Sequence, residues 1–430
     1  MSENCCHGGC CCHKHGFFNS MKCRLWVLIF AAVLCIVSYF WDDILGDAYE
    51  IGKYFNPAWL VVLICGGPLI VDGFKELFKE KRVGTSLLIS VAIFACIALE
   101  ILCWCGVALD GHSGGHDHSN LFSAAEVAFI MWFGELLEDF AVAKLTKKQA
   151  TNNHDHGHSH AGEGKKTRIE RTVDKWAGII VPSAVVIAVV VFVLVLTVFK
   201  EDWHVALTRA MTVLVVFCPC SLVLSTPTAI VAGLRNASSK NIVIKNGSAL
   251  ERVAKTDVVV LDTDTDGCDL KEILAGRNTE VVSFSADADS GQKVEEIGRL
   301  KRDGRVVCYV GDSDKESAAF SAADVSMLTG SGESCDFADI NLGGGTEKVD
   351  GILRFGKRVL ATITANIILA VSVNLVSVVL SLFGYLDPVI GALVHNGGTI
   401  LVVINSAFLL AVKKPFQSGN SRQSDLTCGK

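Results

Sequence analysis

Charge is scarce in this chain. Only 20% of its 430 residues are Asp, Glu, Lys or Arg, against 50% hydrophobic, and the formal net charge is −6. Without a basic excess there is no electrostatic footprint for a phosphate backbone, which excludes nucleic acid as a partner. With a mean hydropathy of +0.42, the chain is also too apolar for an ordinary soluble protein of its length. A small-residue cleavage site is missing behind the first apolar run, which begins at Leu25 after Lys22 and Arg24. That run therefore reads as a retained span, not a cleavable signal. The seventeen cysteines would suit a secreted disulfide framework by number. The chain is long, however, and many of them lie in apolar runs or beside histidines, which favours reduced thiols and metal ligation.

The apolar residues are arranged in blocks. A hydrocarbon core takes about 20 apolar residues per helix, and eight segments qualify or nearly do: 24–41, 58–73, 84–109, 121–141, 176–199, 205–233, 360–384 and 388–412. The second contains Gly66-Gly67-Pro68 and runs into the amphipathic FKELFKEKR, the pattern of a helix that kinks and then lies along a membrane surface. FKELFKEKR, AKLTKKQ, GKKTRIER and VKKPF are basic, whereas DDILGDAYEIGKYFNP is net acidic. The positive-inside rule then predicts both termini in the cytoplasm. The resulting division is a Cys/His-rich tail (1–23), spans one to four (24–141), a His-rich cytosolic loop (142–175) and spans five and six (176–234). A small α/β domain (235–358), spans seven and eight (359–412) and a cytosolic tail (413–430) follow.

The polar block has an α/β rhythm. DVVVLD (257–262) reads as a buried strand ending in an acid and SGQKVEEIGRLKRDG as an amphipathic helix. RVVCYVGD (305–312) is a second strand ending in Asp, and AADVSML a third. Acids at the carboxyl ends of parallel strands are how an open sheet builds a site.

Cys218-Pro219-Cys220 interrupts the sixth apolar run. A proline there removes a backbone hydrogen bond and frees carbonyls, and flanking thiolates would add soft ligands for Cu(I), Zn(II) or Cd(II). The plain alternative is a kinked helix with two buried, inert cysteines. The residues alone leave both open.

CPCSLVLSTPTAIVAGLRNASSKNIVIKNGSALERVAKTDVVVLD resembles the sixth span and exit segment of heavy-metal-transporting P-type ATPases. GELLEDFAVAKLTKKQ, the Gly-Gly helix and HNGGTILVVINS resemble further segments of that family. The resemblance implies a polytopic α-helical membrane protein of about eight transmembrane helices with a cytosolic haloacid-dehalogenase-like, Rossmann-type α/β domain. It implies that Cys218 and Cys220 are the transport-site thiolates, Glu135 the glutamate on the metal path and His395 a ligand of the last span. Asn374 stands where zinc-type members place a lysine. Asp262 corresponds to the aspartyl-phosphate acceptor, within Asp-Thr-Asp-Thr-Asp where the family has Asp-Lys-Thr-Gly-Thr; Asp264 would be the acid/base of the wider superfamily. Lys293 corresponds to the lysine that neutralises the phosphoryl group. Asp312 and Glu316 fall at the magnesium-ligand positions, and magnesium and ATP are the cofactors of an active member.

The departures from the family are internal. Residues 142–175 stand where the family inserts an actuator domain, and residues 263–292 where it inserts a nucleotide-binding domain. Both domains read as missing. Accessory metal tracts remain. Cys5, Cys6, Cys10, Cys11 and Cys12 form a chelating tail with three histidines, and His154, His156, His158 and His160 form a cytosolic cluster; GHSGGHDH (111–118) falls on the other side. Three readings follow. One is a transporter of Zn, Cd, Co or Cu in the plasma (inner) membrane. The second is a non-catalytic metal-binding module, either a conduit or sensor or a partner of a complete pump or of separate soluble domains. The third is a membrane-tethered phosphatase-like domain using Asp262 and Asp264.

Overall fold

The computed structural model describes residues 21–41, 56–79, 85–104, 120–146, 167–262, 274, 279–284, 288–312, 316–330, 338–343 and 347–412. In chain order the elements are α1 (Met21–Tyr39), α2 (Ala58–Lys79), α3 (Thr85–Trp104), α4 (Asn120–Thr146), α5 (Arg168–Phe199), α6 (Trp203–Val216) and α7 (Cys220–Ser238). There follow β1 (Val243–Ile244), α8 (Gly247–Ala254), β2 (Val258–Leu261), β3 (Glu280–Ser283), α9 (Ser290–Arg302), β4 (Val307–Gly311) and α10 (Ser317–Ala322). The chain continues through β5 (Val325–Leu328), β6 (Ile340–Asn341), α11 (Glu347–Leu382) and α12 (Pro388–Ala407).

Among the described residues, five stretches are long and apolar enough to cross a membrane: Ala58–Lys79, Arg168–Phe199, Trp203–Ser238, Lys348–Leu382 and Pro388–Ala411. Cys23–Tyr39 and Ser86–Leu102 are shorter apolar helices. Helix α4 is of membrane length but carries Glu126, Glu135, Glu138 and Asp139. At Gly66-Gly67-Pro68, where the sequence predicts a kink, the helix contains a π turn, Val62–Gly66, which ends two residues before the proline that cannot donate a hydrogen bond.

The chain forms two compact units, the first made of Met1–Phe140, Ile187–Val216 and Leu380–Asn396. Its described part consists of helices and the short turns that join them, with no strand. The core takes Leu28 and Ala31 from α1, Val61, Cys65 and Leu69 from α2, Ile89, Ile93 and Cys96 from α3, and Ala125 and Met131 from α4; Met211 on α6 and Ala392 on α12 complete it. Alanines recur at these contacts because small side chains let apolar helices close on one another without a hydrophobic driving force. The Arg209 guanidinium donates to the Leu382 carbonyl at 3.1 Å and pairs with Glu201 at 3.4 Å. It fixes the turn before α12, where Gly384 has φ +77° and a Cβ would stand 2.9 Å from that guanidinium.

The second unit, Ala141–Val186, Phe217–Val379 and Gly397–Lys430, contains a six-stranded sheet in the order β1-β6-β5-β4-β2-β3. All pairs are parallel except β1–β6. Alternate residues point to opposite faces, as strand geometry requires. Val258 and Val260 of β2 pack with Tyr309 of β4 under Ile297 and Leu300 of α9 and Phe320 of α10. Val259, Leu261, Cys308 and Val310 turn the other way, onto Leu250 of α8, Ile230 and Leu234 of α7 and Phe355 of α11. Helices on both faces explain why these strands read as unbroken apolar runs. The three strands, the helix and the fold class expected from the pattern are all present. Asn246 caps α8, its side chain accepting from Ala249 N at 2.9 Å. Asn236, buried on α7, donates to the carbonyls of Leu409, Leu410 and Val412, orphan acceptors at the end of the last helical segment.

Candidate metal centre and aspartate site

Between α6 and α7 the helix is broken by Phe217, Cys218 and Pro219. Pro219 starts the next helix, its carbonyl accepting from Val223 N at 3.0 Å. Cys218 is completely buried and Cys220 half-buried. The two sulfurs are joined as a disulfide with Cα atoms 5.6 Å apart. The sequence favours reduced thiols, so the structure differs here: the spacing that lets two thiolates share an ion also lets their sulfurs meet. Metal ligation needs the thiolate form, so this pair must be reduced before it can bind.

Asn374 Nδ2 on α11 donates to the Cys218 carbonyl at 3.2 Å, supplying the partner that the broken helix does not. Deeper in the same unit, Thr228, Ser406, Asn366 and Asn405 form a buried relay. Thr228 Oγ1 and Ser406 Oγ lie 3.0 Å apart, Asn366 Nδ2 donates to Ser406 at 2.9 Å, and Asn405 Nδ2 donates to Asn366 Oδ1 at 2.7 Å. Sequence reasoning missed this set. Its signal was the presence of amides and hydroxyls inside apolar runs, which is costly in a bilayer unless they find one another.

In the first unit, His395 is 2% exposed, with its ring against the Val216 backbone. Its neighbour Asn396 donates to the Ile130 carbonyl of α4 at 2.8 Å. Gly134, which opens the GELLED stretch, leaves the room that Asn396 needs: a Cβ there would stand 2.3 Å from Asn396 Oδ1. Glu135 lies on the exposed side of α4, near the end where Asp139 pairs with Arg24 at 2.7 Å.

The second site lies at the carboxyl ends of β2 and β4, where the chain order across the sheet reverses. Such a switch point is where α/β sheets hold ligands. Asp262 follows β2 and is buried, while Asp312 follows β4 and is exposed. Lys293, 6% exposed on α9, donates to the Asp262 carboxylate and to Glu316 Oε1, the latter at 2.5 Å. Tyr309 of β4 donates from its hydroxyl to the other Glu316 oxygen; sequence reasoning placed this residue only in a strand. Burial opposes a charged Lys293, but the bonds from Asp262 and Glu316 outweigh it and hold the ammonium above its usual range. Burial, with the adjacent Asp262, lifts the Glu316 carboxyl above the usual carboxylate range, against the pull of Lys293 and Tyr309. Burial and the Glu316 contact push the Tyr309 phenol up.

This donor set does not fit magnesium as it stands. Mg²⁺ takes one or two carboxylates in near-ideal octahedral geometry. Here Asp262 and Glu316 are engaged by a lysine cation, leaving Asp312 as the open carboxylate among the described residues. Asp264, LAGRN (274–278, apart from Leu274), the tail with Cys5, Cys6, Cys10, Cys11 and Cys12, GHSGGHDH, and the tract His154, His156, His158 and His160 lie outside the described residues.

No family model matches the chain. Against curated proteins it is 41% identical over 100 residues to the probable copper-importing P-type ATPase A of Enterococcus hirae, covering 23% of this chain and 14% of that one. It is 34% identical over 100 residues to the zinc/cadmium/lead-transporting P-type ATPase of Escherichia coli, with the same coverage. To the copper-exporting P-type ATPase of Bacillus subtilis it is 37% identical over 139 residues, covering 30% of this chain and 17% of that one. Over these stretches the chain is similar to heavy-metal P-type ATPases. The matches span less than a fifth of the length of those relatives. Among solved structures, the crystal structure of a zinc-transporting PIB-type ATPase in its E2.Pi state aligns with a TM-score of 0.53 at 15% identity, covering 90% of this chain and 99% of that one. What is shared there is the fold. The chain is an integral membrane protein with membrane-length helices and a small mixed α/β domain.

Proposed function

We propose that the protein carries a heavy or transition metal cation of the Zn, Cd, Co or Cu class across its membrane. The observation that carries this reading is the break at Cys218-Pro219-Cys220. A stretch otherwise apolar enough to span a bilayer gives up helix hydrogen bonds there to present two sulfurs, one wholly buried. Buried soft donors at a proline break suit a site that must both grip and release a soft ion. Cys218 and Cys220, once reduced by a cellular thiol, supply thiolates; His395 supplies an imidazole and Glu135 a carboxylate along the path. The relatives' transport of copper and of zinc, cadmium and lead supports the cargo class. The plasma (inner) membrane, with both termini in the cytoplasm, is the location that the basic flanks support.

A second reading concerns the drive. The pairing of Lys293 with both Asp262 and Glu316 favours an aspartate domain that does not turn over phosphate, and hence a metal-binding membrane module. A nucleophilic carboxylate needs an open path to the phosphorus and a magnesium ion beside it, and this one is buried, with the neighbouring Glu316 held by the same ammonium. One preparation tests both readings. Reduced protein should bind zinc or Cu(I) and lose that binding in Cys218→Ala/Cys220→Ala; unchanged binding would sink the metal site. Incubation with labelled Mg-ATP and zinc should give no acid-stable phosphoenzyme. A phosphoenzyme lost in Asp262→Ala would instead establish active phosphoryl transfer.

A further inference from the structure

Strand β4 reads Val-Cys-Tyr-Val-Gly, and its phenol is the group that needs a hydrogen-bond partner. Tyr309 is completely buried. Its ring stands edge-on to Phe320 of α10, with centroids 5.2 Å apart, which fixes the direction of the hydroxyl. That hydroxyl donates to one oxygen of Glu316, and Lys293 donates to the other at 2.5 Å. Glu316 stands at the head of α10 but makes no capping hydrogen bond there; its side chain turns inward and is 8% exposed. Gly311 leaves the room it needs, since a Cβ there would stand 3.0 Å from Glu316 Oε2 and 3.2 Å from Tyr309 Cε1. The glutamate is thus held at both oxygens.

We propose that Tyr309 and Glu316 form a lock that keeps the aspartate site closed to magnesium. The lock presupposes the reading that this domain does not turn over phosphate, and goes beyond it by naming the contact responsible. Mg²⁺ demands oxygen ligands at about 2.0–2.1 Å in near-ideal octahedral geometry. Glu316 cannot be set to that geometry while Tyr309 and Lys293 fix its two oxygens. A dication brought beside it would also meet the Lys293 ammonium, a like charge that a buried site screens poorly. Tyr309 is the part of the lock that a lysine–carboxylate pair alone lacks. Without its hydroxyl, Glu316 Oε2 loses its donor and is free to turn to a cation. With aspartate at 316 the carboxylate draws back from Tyr309 by one methylene.

Mn²⁺ shares magnesium's preference for oxygen ligands, and its binding to full-length protein in detergent can be followed by loss of the free-ion electron paramagnetic resonance signal. The parent should show no Mn²⁺ site that depends on Asp312, the open carboxylate. Tyr309→Phe and Glu316→Asp should each gain one, at least tenfold tighter than any Mn²⁺ binding by the parent. Asp312→Asn in either background should abolish the gain. The cysteine and histidine tracts are the same in every variant, so their binding cancels in the comparison. Tyr309→Phe keeps the ring and its packing on Phe320, so it decides the matter even where Glu316→Asp expresses poorly. The proposal is overturned if the parent already carries an Asp312-dependent site of the same affinity, if neither variant gains one, or if the gain survives Asp312→Asn. A phosphoenzyme formed by the parent would sink the reading beneath the lock. A silent parent whose variants stay closed to Mn²⁺ would sink the lock alone.

Discussion

At the scale of single residues, the buried lysine of the aspartate site governs what Asp262 can do. Lys293 sits between two carboxyl groups, and Tyr309 closes the far side of Glu316. Replacing Lys293 with Met would leave those acids facing each other without a counter-charge. Breaking a buried pair from one side costs roughly 3–5 kcal/mol. The pH dependence follows from the same contacts. Glu316 is held above its ordinary value in the folded chain, so below about pH 4.5 it is protonated whether the chain is folded or unfolded. As the pH rises from there, the unfolded chain releases the proton while the folded one retains it, and stability falls until the folded group ionises. Lys293 has the opposite profile: its contribution is complete below its usual range near pH 10.4 and is lost as the pH rises through its elevated folded value. Thermal unfolding of Glu316→Gln should therefore be flatter with pH above 4.5 than the parent. Equal slopes would show that Glu316 keeps no proton on folding.

At the scale of elements, close approach decides which substitutions the helices tolerate. A Cβ on Gly73 of α2 would meet Leu87 N and the Ser86 carbonyl group of α3 at 2.9 Å. These are backbone atoms, and the two helices would have to part. Gly67 has nothing within 4 Å of a Cβ. Gly73→Ala should cost about 1–3 kcal/mol. A Cβ at Gly67 meets no other element and is opposed only by the ring of Pro68 that follows it. Gly73→Ala should therefore be the more destabilising of the two, both read as denaturation midpoints in detergent. Reversal of that order would contradict the α2–α3 packing. This contrast was not legible in GGPLIVDG, where residue type alone does not separate Gly67 from Gly73. The strands β2, β4 and β5 and helix α9 were legible, because burial on both faces makes apolar runs and a helix has its own period. β3 was not: EVVS is short, with polar residues before it and only Phe284 carrying the apolar pattern beyond it. The two-residue strands β1 and β6 carry no pattern at all. Of the sites, Cys218-Pro219-Cys220 announces itself by residue type. Asn374 on the Cys218 carbonyl and Tyr309 on Glu316 are pairings across the fold, which residue type and spacing do not encode.

At the scale of the molecule, the segments available for moving parts are short. Residues 147–167 join α4 to α5, and residues 263–289 lie between the Asp262 strand and α9. Segments below about 40 residues seldom fold alone without metals, disulfides or a partner. On length alone, neither stretch is expected to fold as an independent domain that would swing onto Asp262 and couple phosphate to the membrane helices. Any conformational cycle would then be biased by the cation and its gradient, since a ligand shifts an equilibrium only by its differential affinity for the two states. In proteoliposomes loaded with zinc and kept under a thiol reductant, zinc should run down its gradient at a rate unchanged by Mg-ATP. That flux should be lost in Cys218→Ala and retained in Asp262→Ala. Acceleration by ATP that disappears in Asp262→Ala would mean that Lys293 releases the carboxylate during a cycle, and that the small α/β domain drives transport after all.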